Sequence, residues 1–285
     1  MTPHRHILAL SCDDRPGLVA AVSGLLADQG GNIVDAQQYN DADTDRFFMR
    51  LVFDLPDGRA DAFRTAFAAL ADTHAMDWRL RRADRPPRVL ILVSKFDHCL
   101  VDLLYRARTG ELEMEVVGVV SNHPAEAALS GVNLRDTPFH HIPVSRATKA
   151  DAEAKLLALV ARTGAELVVL ARYMQILSDD AARALEGRCV NIHHSFLPGF
   201  KGARPYHQAH RRGVKMIGAT AHFVTPDLDE GPIIAQGVER ITHADTPERM
   251  IARGREVEQR VLAHAVRALI EDRVFINGAR TVVFD

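Results

Sequence analysis

Cysteine is scarce in this sequence. Only Cys12, Cys99 and Cys189 occur among the 285 residues, and no two of them form a C-x-x-C pair. Disulfide frameworks and structural zinc sites both need closely spaced cysteines. The spacing therefore argues against either arrangement, and we expect a reducing, cytoplasmic setting.

Long apolar runs are also missing. A membrane-spanning helix needs about 18 or more consecutive apolar residues, and no segment of this chain provides them. The apolar stretch before Asp13 is too short for the core of a signal peptide. We expect a soluble protein that has no membrane partner.

Neither sign of charge dominates. Lys and Arg number 35 against 37 for Asp and Glu, which gives a formal net charge of -2. Non-specific nucleic-acid binding uses an extended basic field, so we expect neither DNA nor tRNA as a partner. With 47% hydrophobic and 25% charged residues, the composition is that of a globular protein with one or two domains.

A charged stretch that ends in Pro86 and Pro87 divides the sequence. Proline disfavours helix and cannot donate to a sheet ladder. Before this stretch, apolar periodicity gives the order β-α-β-β-α-β, which is that of a ferredoxin-like fold. We predict a first domain at residues 1–82, a linker at residues 83–87 and a second domain at residues 88–285.

The second half has the pattern of an α/β protein. Nearly continuous apolar runs such as Arg88–Val93 and Met114–Val120 alternate with helical segments such as Leu100–Arg108. Buried parallel strands joined by helices show this alternation. We predict a Rossmann-like, mostly parallel, doubly wound sheet with a more antiparallel section after residue 219.

Two polar side chains lie at the end of the predicted strand Cys189–His193. Asn191 and His193 are two residues apart, so both point to one face of the strand. Open α/β sheets bind ligands at such strand ends, and an amide with a protonated imidazole suits a developing oxyanion. A structural asparagine and a surface histidine are the alternative interpretation.

Two loops could add charge to this edge of the sheet. A carboxylate in the acidic loop at residues 226–232 could orient a water and keep a histidine protonated. Acidic residues are also common as solvated turn formers. The second loop is the basic one that contains Lys201. Its cations could bind an anionic tail of the substrate, or they could be ordinary surface residues.

Three segments of the second half resemble the formyl-transfer domain of enzymes that use 10-formyltetrahydrofolate, in the order and spacing of that family. The segments are Leu170–Ser178, Asn191–Gly202 and His222–Pro232. The resemblance covers about residues 88–285. It implies a catalytic trio of Asn191, His193 and Asp229.

The same resemblance implies a pterin pocket and the residues that bind the substrate. These residues are Met174, Gln175, Ile176, Leu177, Val224, Thr225 and Lys201. Members of the family commonly carry arginine at the position of Gln175, so this chain departs from the family pattern there.

The first domain resembles an ACT domain, a small amino-acid-sensing module of ferredoxin-like fold. The match rests on the turns Asp14–Gly17 and Gly30–Asn32. It implies glycine or methionine as effector and a homo-oligomer formed by pairing of ACT sheets. The effector-binding residues that it implies are Asp14, Pro16, Gly17, Gly30 and Asn32.

An ACT domain followed by a formyl-transfer domain is the arrangement of the 10-formyltetrahydrofolate hydrolase family. The implied reaction gives formate and tetrahydrofolate, which regulates the one-carbon folate pool and supplies formate for purine biosynthesis. Related transferases hold an acceptor phosphate with a glycine-rich loop, whereas Ser94–Leu100 has no glycine and contains Asp97. We therefore expect water as the nucleophile.

Other functions remain open. One is a folate-dependent formyltransferase to a small acceptor, and another is a non-catalytic folate or amino-acid sensor. The hydrolytic mechanism implies no metal and no other cofactor. The competing metal hypothesis rests on His207 and His210, whose i, i+3 spacing places them on one helix face without a third ligand at a motif spacing.

Overall fold

The computed structural model of the protein describes residues 4–129, 131–199 and 205–285. The chain divides into two units. The first contains the residues up to Pro86 together with Glu271–Phe275 and Val282–Asp285. The second contains Pro87–Ile270 and Ile276–Thr281.

The first unit has a four-stranded antiparallel sheet in the order β2-β3-β1-β4. Its elements are β1 (His4–Asp13), α1 (Leu18–Asp28), β2 (Asn32–Asp41), β3 (Arg46–Leu55), α2 (Ala60–Thr73) and β4 (Asp77–Arg82). The predicted β-α-β-β-α-β order is confirmed. Helical spacing of Leu18, Val22 and Leu26 buries one face of α1 against the sheet, as expected of an amphipathic helix.

Strand β1 is buried on both faces. Leu8 and Leu10 face the helices and pack with Phe53 and Phe67. Ala9, from the opposite face, packs in a separate cluster with Phe48, Phe275 and Phe284. Strand residues alternate between faces, so the second cluster explains why this strand lacks the polar alternation of a half-exposed strand.

The C-terminal residues supply that second cover. They include parts of β12 (Val274–Asn277) and β13 (Arg280–Val283). Arg50 Nε donates to the Glu271 carbonyl at 2.9 Å, and Arg81 forms an ion pair with Asp272. The sequence assigned residues 271–285 to the second domain. The structure instead places Glu271–Phe275 and Val282–Asp285 in the first unit, because their aromatic side chains pack on its sheet.

The second unit has a seven-stranded sheet in the order β11-β10-β9-β8-β5-β6-β7. Its strands are β5 (Arg88–Val93), β6 (Glu115–Ser121), β7 (Phe139–His141), β8 (Leu167–Leu170), β9 (Cys189–His193), β10 (Met216–Phe223) and β11 (Ile233–Arg240). Its helices are α3 (His98–Arg108), α4 (Ala125–Ala128), α5 (Lys149–Thr163), α6 (Asp179–Ala184), α7 (Pro205–Arg212) and α8 (Pro247–Ile270). No helix among the described residues has the length and apolar content that a membrane span requires.

Five of these strands are parallel, and β10 and β11 add two antiparallel partners at one edge. The predicted mostly parallel sheet with a later antiparallel section is therefore confirmed. The chain builds outward from β5 through β6 to β7 and then returns to β8 and β9 on the other side. Such a reversal of strand order opens a crevice at the carboxyl ends of β5 and β8.

Ser94, directly after β5, forms hydrogen bonds to the segments that follow β6 and β8. Its Oγ donates to Asn122 Oδ1 at 2.6 Å and accepts from the Met174 backbone N–H at 2.9 Å. The Ser94 N–H donates to the Arg172 carbonyl at 3.2 Å. These bonds fix the loop after β8, where several predicted site residues lie.

The packing of Phe275 predicts a measurable cost for its removal. We expect Phe275→Ala to lower the free energy of unfolding of the first unit by about 3 kcal/mol, because it leaves a cavity beside Phe48. Trp78 is the only tryptophan of the chain and lies in this unit, so its fluorescence reports urea unfolding there. Ile276, which is 43% exposed, provides the control: Ile276→Ala should change the value by less than about 0.5 kcal/mol. Equal effects would contradict the packing account.

Candidate active site

A cavity of about 580 Å³ lies in the second unit and contains most of the predicted site residues. Asn191 and His193 of β9 form part of its wall, and Asp229, from the loop between β10 and β11, forms another part. The strand pairing brings these segments together, since Asn191 lies opposite His222 of β10 in the antiparallel register. The site therefore joins residues that are far apart in sequence.

His193 and Asp229 form an ion pair. His193 Nδ1 lies 3.3 Å from Asp229 Oδ2, and both side chains are largely buried. Hydrogen bonds from His193 and then His222 hold the pKa of Asp229 well below its usual range, so the carboxylate is charged. His193 Nε2 has no hydrogen-bond partner in the described part of the chain. This nitrogen is therefore available to a ligand in the cavity.

His222 positions the amide of Asn191, a role that the sequence analysis did not assign. Its Nδ1 donates to the Phe223 carbonyl at 2.8 Å, and its Nε2 lies 3.7 Å from Asp229 Oδ1. Asn191 Nδ2, which carries two N–H donors, lies 3.2 Å from that Nε2. The second N–H of the amide is left for a ligand. The sequence signal was present, because His222 interrupts the mostly apolar sequence of β10.

The Asp229 loop has an unusual backbone. Asp229 adopts a positive φ of 58°, a conformation that non-glycine residues rarely adopt outside strained or functional positions. A Cβ at Gly231 would lie 1.8 Å from the Phe223 carbonyl oxygen. Only glycine allows this close approach, which lets the loop return across the end of β10 and present Asp229 to His193.

The residues predicted to hold the pterin all line the same cavity. They are Met174, Gln175, Ile176, Leu177, Val224 and Thr225. Met174 and Ile176 are 52% and 60% exposed, which is unusual for large apolar side chains and typical of a binding surface. Lys201, the remaining predicted substrate-binding residue, lies outside the described residues.

Another part of the cavity lining is polar, and it is called the polar end below; the sequence analysis missed most of it. Its lining includes His98, Arg172, His194, Tyr206 and Glu258. Glu258 is a charged residue on the buried face of α8, between Val257 and Val261, and this break in the apolar pattern was a signal. The carboxylate that the sequence placed in this region was Asp97. Asp97 precedes α3 and is not among the cavity-lining residues, whereas Glu258 is.

His98, Cys99 and Glu258 have potential metal-ligand atoms within 4.8 Å of one another. The Glu258 carboxylate is already paired with Arg172 at 3.3 Å, and burial raises the pKa of the Cys99 thiol well above its ordinary value. A protonated thiol and a carboxylate whose partners are already Arg172 and His98 are poor ligands, so this cluster fits an ion-pair network better than a metal site. His207 and His210, both exposed on α7, do not belong to the cluster.

The predicted effector residues lie in two places in the first unit. Asp14, Pro16 and Gly17 precede α1, whereas Gly30 and Asn32 follow it. A helix of 11 residues separates its ends by about 16 Å. A single copy of the chain therefore does not present all five residues to one small amino acid.

Comparison with known proteins assigns both halves of the chain. A family model described as formyl transferase matches residues 87–266, and an ACT domain model matches residues 6–61. The fold and the site thus define an ACT domain joined to a formyl transferase domain, which confirms the resemblance found in the sequence.

Proteins with the same arrangement are similar over the full chain. A formyltetrahydrofolate deformylase from Corynebacterium sp. (strain P-1) is 52% identical over 98% of this chain and 98% of its own length. The crystal structure of a formyltetrahydrofolate deformylase from Burkholderia mallei superposes with a TM-score of 0.94 at 53% identity, covering 99% of this chain and 100% of that one. A glycinamide ribonucleotide transformylase from Symbiobacterium toebii, at 31% identity and a TM-score of 0.66, covers 73% of this chain and 98% of that one. This chain belongs to the formyltetrahydrofolate deformylase family.

His194 predicts how stability depends on pH. Burial, with a further contribution from the positive charge of Arg172, lowers the pKa of His194 to about 4. An unfolded histidine titrates near 6.5, so the folded state binds fewer protons between these values and loses stability as the pH falls through this window. Between about pH 7 and pH 5, the free energy of unfolding should therefore fall by about 2 kcal/mol more in the wild type than in His194→Gln. Urea unfolding at both pH values measures it, and an unchanged difference in the variant would contradict this account.

Proposed function

We propose that this protein hydrolyses 10-formyltetrahydrofolate to formate and tetrahydrofolate. The observation that carries the proposal is the convergence of Asn191, His193 and Asp229 at the wall of a cavity that has an apolar end. Full-length similarity to formyltetrahydrofolate deformylases supports the same reaction. The enzyme is thus a hydrolase that acts on a formamide C–N bond.

The apolar end of the cavity suits the pterin of this substrate. Met174, Ile176, Leu177 and Val224 offer an apolar surface, while Gln175 and Thr225 add polar groups. Small-molecule sites combine such an apolar lining with a few polar contacts that fix the orientation. In this arrangement the formyl group at N10 lies over the end of β9.

The polar groups at β9 then act on the formyl carbonyl. The free N–H of Asn191 and the Nε2–H of protonated His193 donate to the carbonyl oxygen, on which negative charge develops. Asp229 keeps His193 charged and orients the attacking water. Its lowered pKa makes it a weak base, so its contribution is to orientation and electrostatics.

The proton balance involves His193. Water attacks the formyl carbon to form a C–O bond, and the C=O electron pair moves onto the oxygen. When the tetrahedral intermediate collapses, the C–N10 bond breaks and N10 takes the proton of His193. Once N10 has taken that proton, the neutral imidazole accepts the proton that the added water gives up, which restores the imidazolium. Formic acid then releases its own proton and leaves as formate. The residues supply all of these steps, and the proposal includes no metal or other cofactor.

We propose that formate release regulates the balance of free and formylated folate and supplies formate for purine biosynthesis. We propose a cytoplasmic location for this role. Cys12, Cys99 and Cys189 are free and buried, which is compatible with a reducing compartment.

The test of the reaction is incubation of the purified protein with 10-formyltetrahydrofolate alone. A hydrolase releases one formate per tetrahydrofolate, and added amines leave the rate unchanged. A formyltransferase to a small acceptor would release formate slowly and turn over faster when an amine is supplied. Folate binding without turnover would support a sensor and would overturn the proposal.

Substitutions in the trio test the assigned roles. His193→Ala and Asp229→Ala should each lower kcat by about 10²–10³-fold, because each removes an oxyanion donor or the group that keeps it charged. His264, an exposed residue of α8, provides the control, and His264→Ala should retain wild-type kcat. Either trio variant with near-wild-type formate release would rule out that residue's role.

We propose that the ACT domain binds a small amino acid such as glycine or methionine and that the protein is a homo-oligomer. Strand β2 lies at the edge of the first sheet and exposes Ile33, Val34 and Tyr39. An unpaired edge with apolar side chains favours pairing with another strand. A ligand between two copies can contact one end of α1 from each chain, which accommodates the separation of the predicted effector residues.

Titration of the full chain tests the effector proposal. Isothermal titration with glycine and with methionine should show saturable binding to one of them, with a shift in kcat or KM at the same concentrations. Asp14→Ala should weaken binding by about tenfold or more, whereas Asp72→Ala, at an exposed position of α2, should not. The absence of both heat and kinetic change with either amino acid would reject the proposal.

A further inference from the structure

Glu258 is a buried charge in the cavity that the proposed mechanism does not use. It is 1% exposed and belongs to the cavity lining. Three side chains converge on its carboxylate. His98 Nε2 donates to Oε2 at 2.9 Å, Tyr206 Oη donates to Oε1 at 2.7 Å, and Arg172 Nε lies 3.3 Å from Oε2.

The carboxylate is held in its charged form. Burial raises the pKa of Glu258, but the hydrogen bond from His98 and the positive charge of Arg172 outweigh burial and leave the pKa below its ordinary value. Gly254, one turn earlier on α8, leaves room for Tyr206, since a Cβ there would lie 2.1 Å from the tyrosine oxygen. The fold therefore accommodates a fixed negative charge at this place.

Arg172 is the cation that would otherwise attract an anion. Its side chain is 10% exposed, and its guanidinium lies 5.7 Å from the centre of the Phe96 ring. Its Nη1 has no hydrogen-bond partner among the residues that the structure describes. A buried arginine with an unused N–H is a ready site for a phosphate or carboxylate. Here Glu258 supplies the opposing charge.

This network lies close to the proposed reaction centre. His194 connects the two, because its ring centre is 5.2 Å from that of His193 and 6.3 Å from that of Tyr206. An acceptor amine that approached the formyl group along this wall would therefore meet the Glu258 charge. Water carries no charge and is not repelled.

We propose that Glu258 is a specificity-determining residue that excludes anionic acceptors from the polar end of the cavity, so that water is the nucleophile. The proposal rests on the proposed hydrolase function. In this proposal, the Glu258 carboxylate repels phosphorylated or carboxylated amines and does not repel water. Specificity of this kind is built by repulsion of the wrong partner as well as by attraction of the right one.

Neutralising Glu258 should convert this end of the cavity into an anion site. Glu258→Gln keeps the shape, and its amide can still bond to Tyr206 and His98, while Arg172 loses its counter-charge. Inorganic phosphate is the probe. Isothermal titration should show at least about tenfold tighter phosphate binding than in the wild type, and phosphate should inhibit formate release at correspondingly lower concentrations.

A matched control makes the result specific. Glu256 is an exposed carboxylate on the same helix, so Glu256→Gln changes the net charge equally outside the cavity and should leave phosphate affinity unchanged. The double variant Arg172→Gln, Glu258→Gln should lose the gained affinity. No gain in Glu258→Gln, or an equal gain in Glu256→Gln, would overturn the proposal.

Two further results are decisive by themselves. If Glu258→Gln does not fold, the wild type decides: phosphate that competes with substrate below about 1 mM would overturn the proposal, and no binding at up to about 50 mM would support it. Titration needs no turnover, so it separates the two proposals. A wild type that releases no formate would refute the hydrolase function, whereas phosphate binding tests the role of Glu258 directly.

Discussion

The antiparallel pairing of β9 with β10 is the constraint on which the site depends. It places Asn191 opposite His222 and brings the loop after β10 back to His193, so that the amide and the imidazole each acquire a fixed partner. The buried ion pair of His193 with Asp229 then sets the charge of the site. Because a ladder of backbone hydrogen bonds holds both strands, the geometry is preorganised before any ligand enters, as an oxyanion site requires.

The cavity is lined by two kinds of side chain, apolar and charged. Apolar side chains after β8 form one part of its lining, the buried charges around Glu258 form another, and His193 and Asn191 also belong to the lining. Under the proposed mechanism the substrate binds by its ring system at the apolar end, and the polar end determines what reaches the formyl carbon. Two fixed carboxylates, Asp229 and Glu258, thus carry different roles because their partners differ.

Much of the fold was predictable from local patterns. The strands Arg88–Val93 and Cys189–His193 agree with prediction to the residue, because continuous apolar runs that end at charged or polar residues define buried strands. Residues on the loops after β8 and β10 were also found, since the family resemblance lies in contiguous segments. Glu258 and Arg172 were missed, because nothing near either residue in sequence shows that they meet.

The sequence by itself determined the order of the elements, the two kinds of domain and the residue types at the end of β9. Short-range periodicity and contiguous motifs encode these features. Only the tertiary structure decided that His98 meets Glu258 across 160 positions, that Asn191 pairs with His222, and that Phe275 and Phe284 cover the first sheet. Such contacts depend on how distant segments pack and on strand register, and local patterns state only which face is buried.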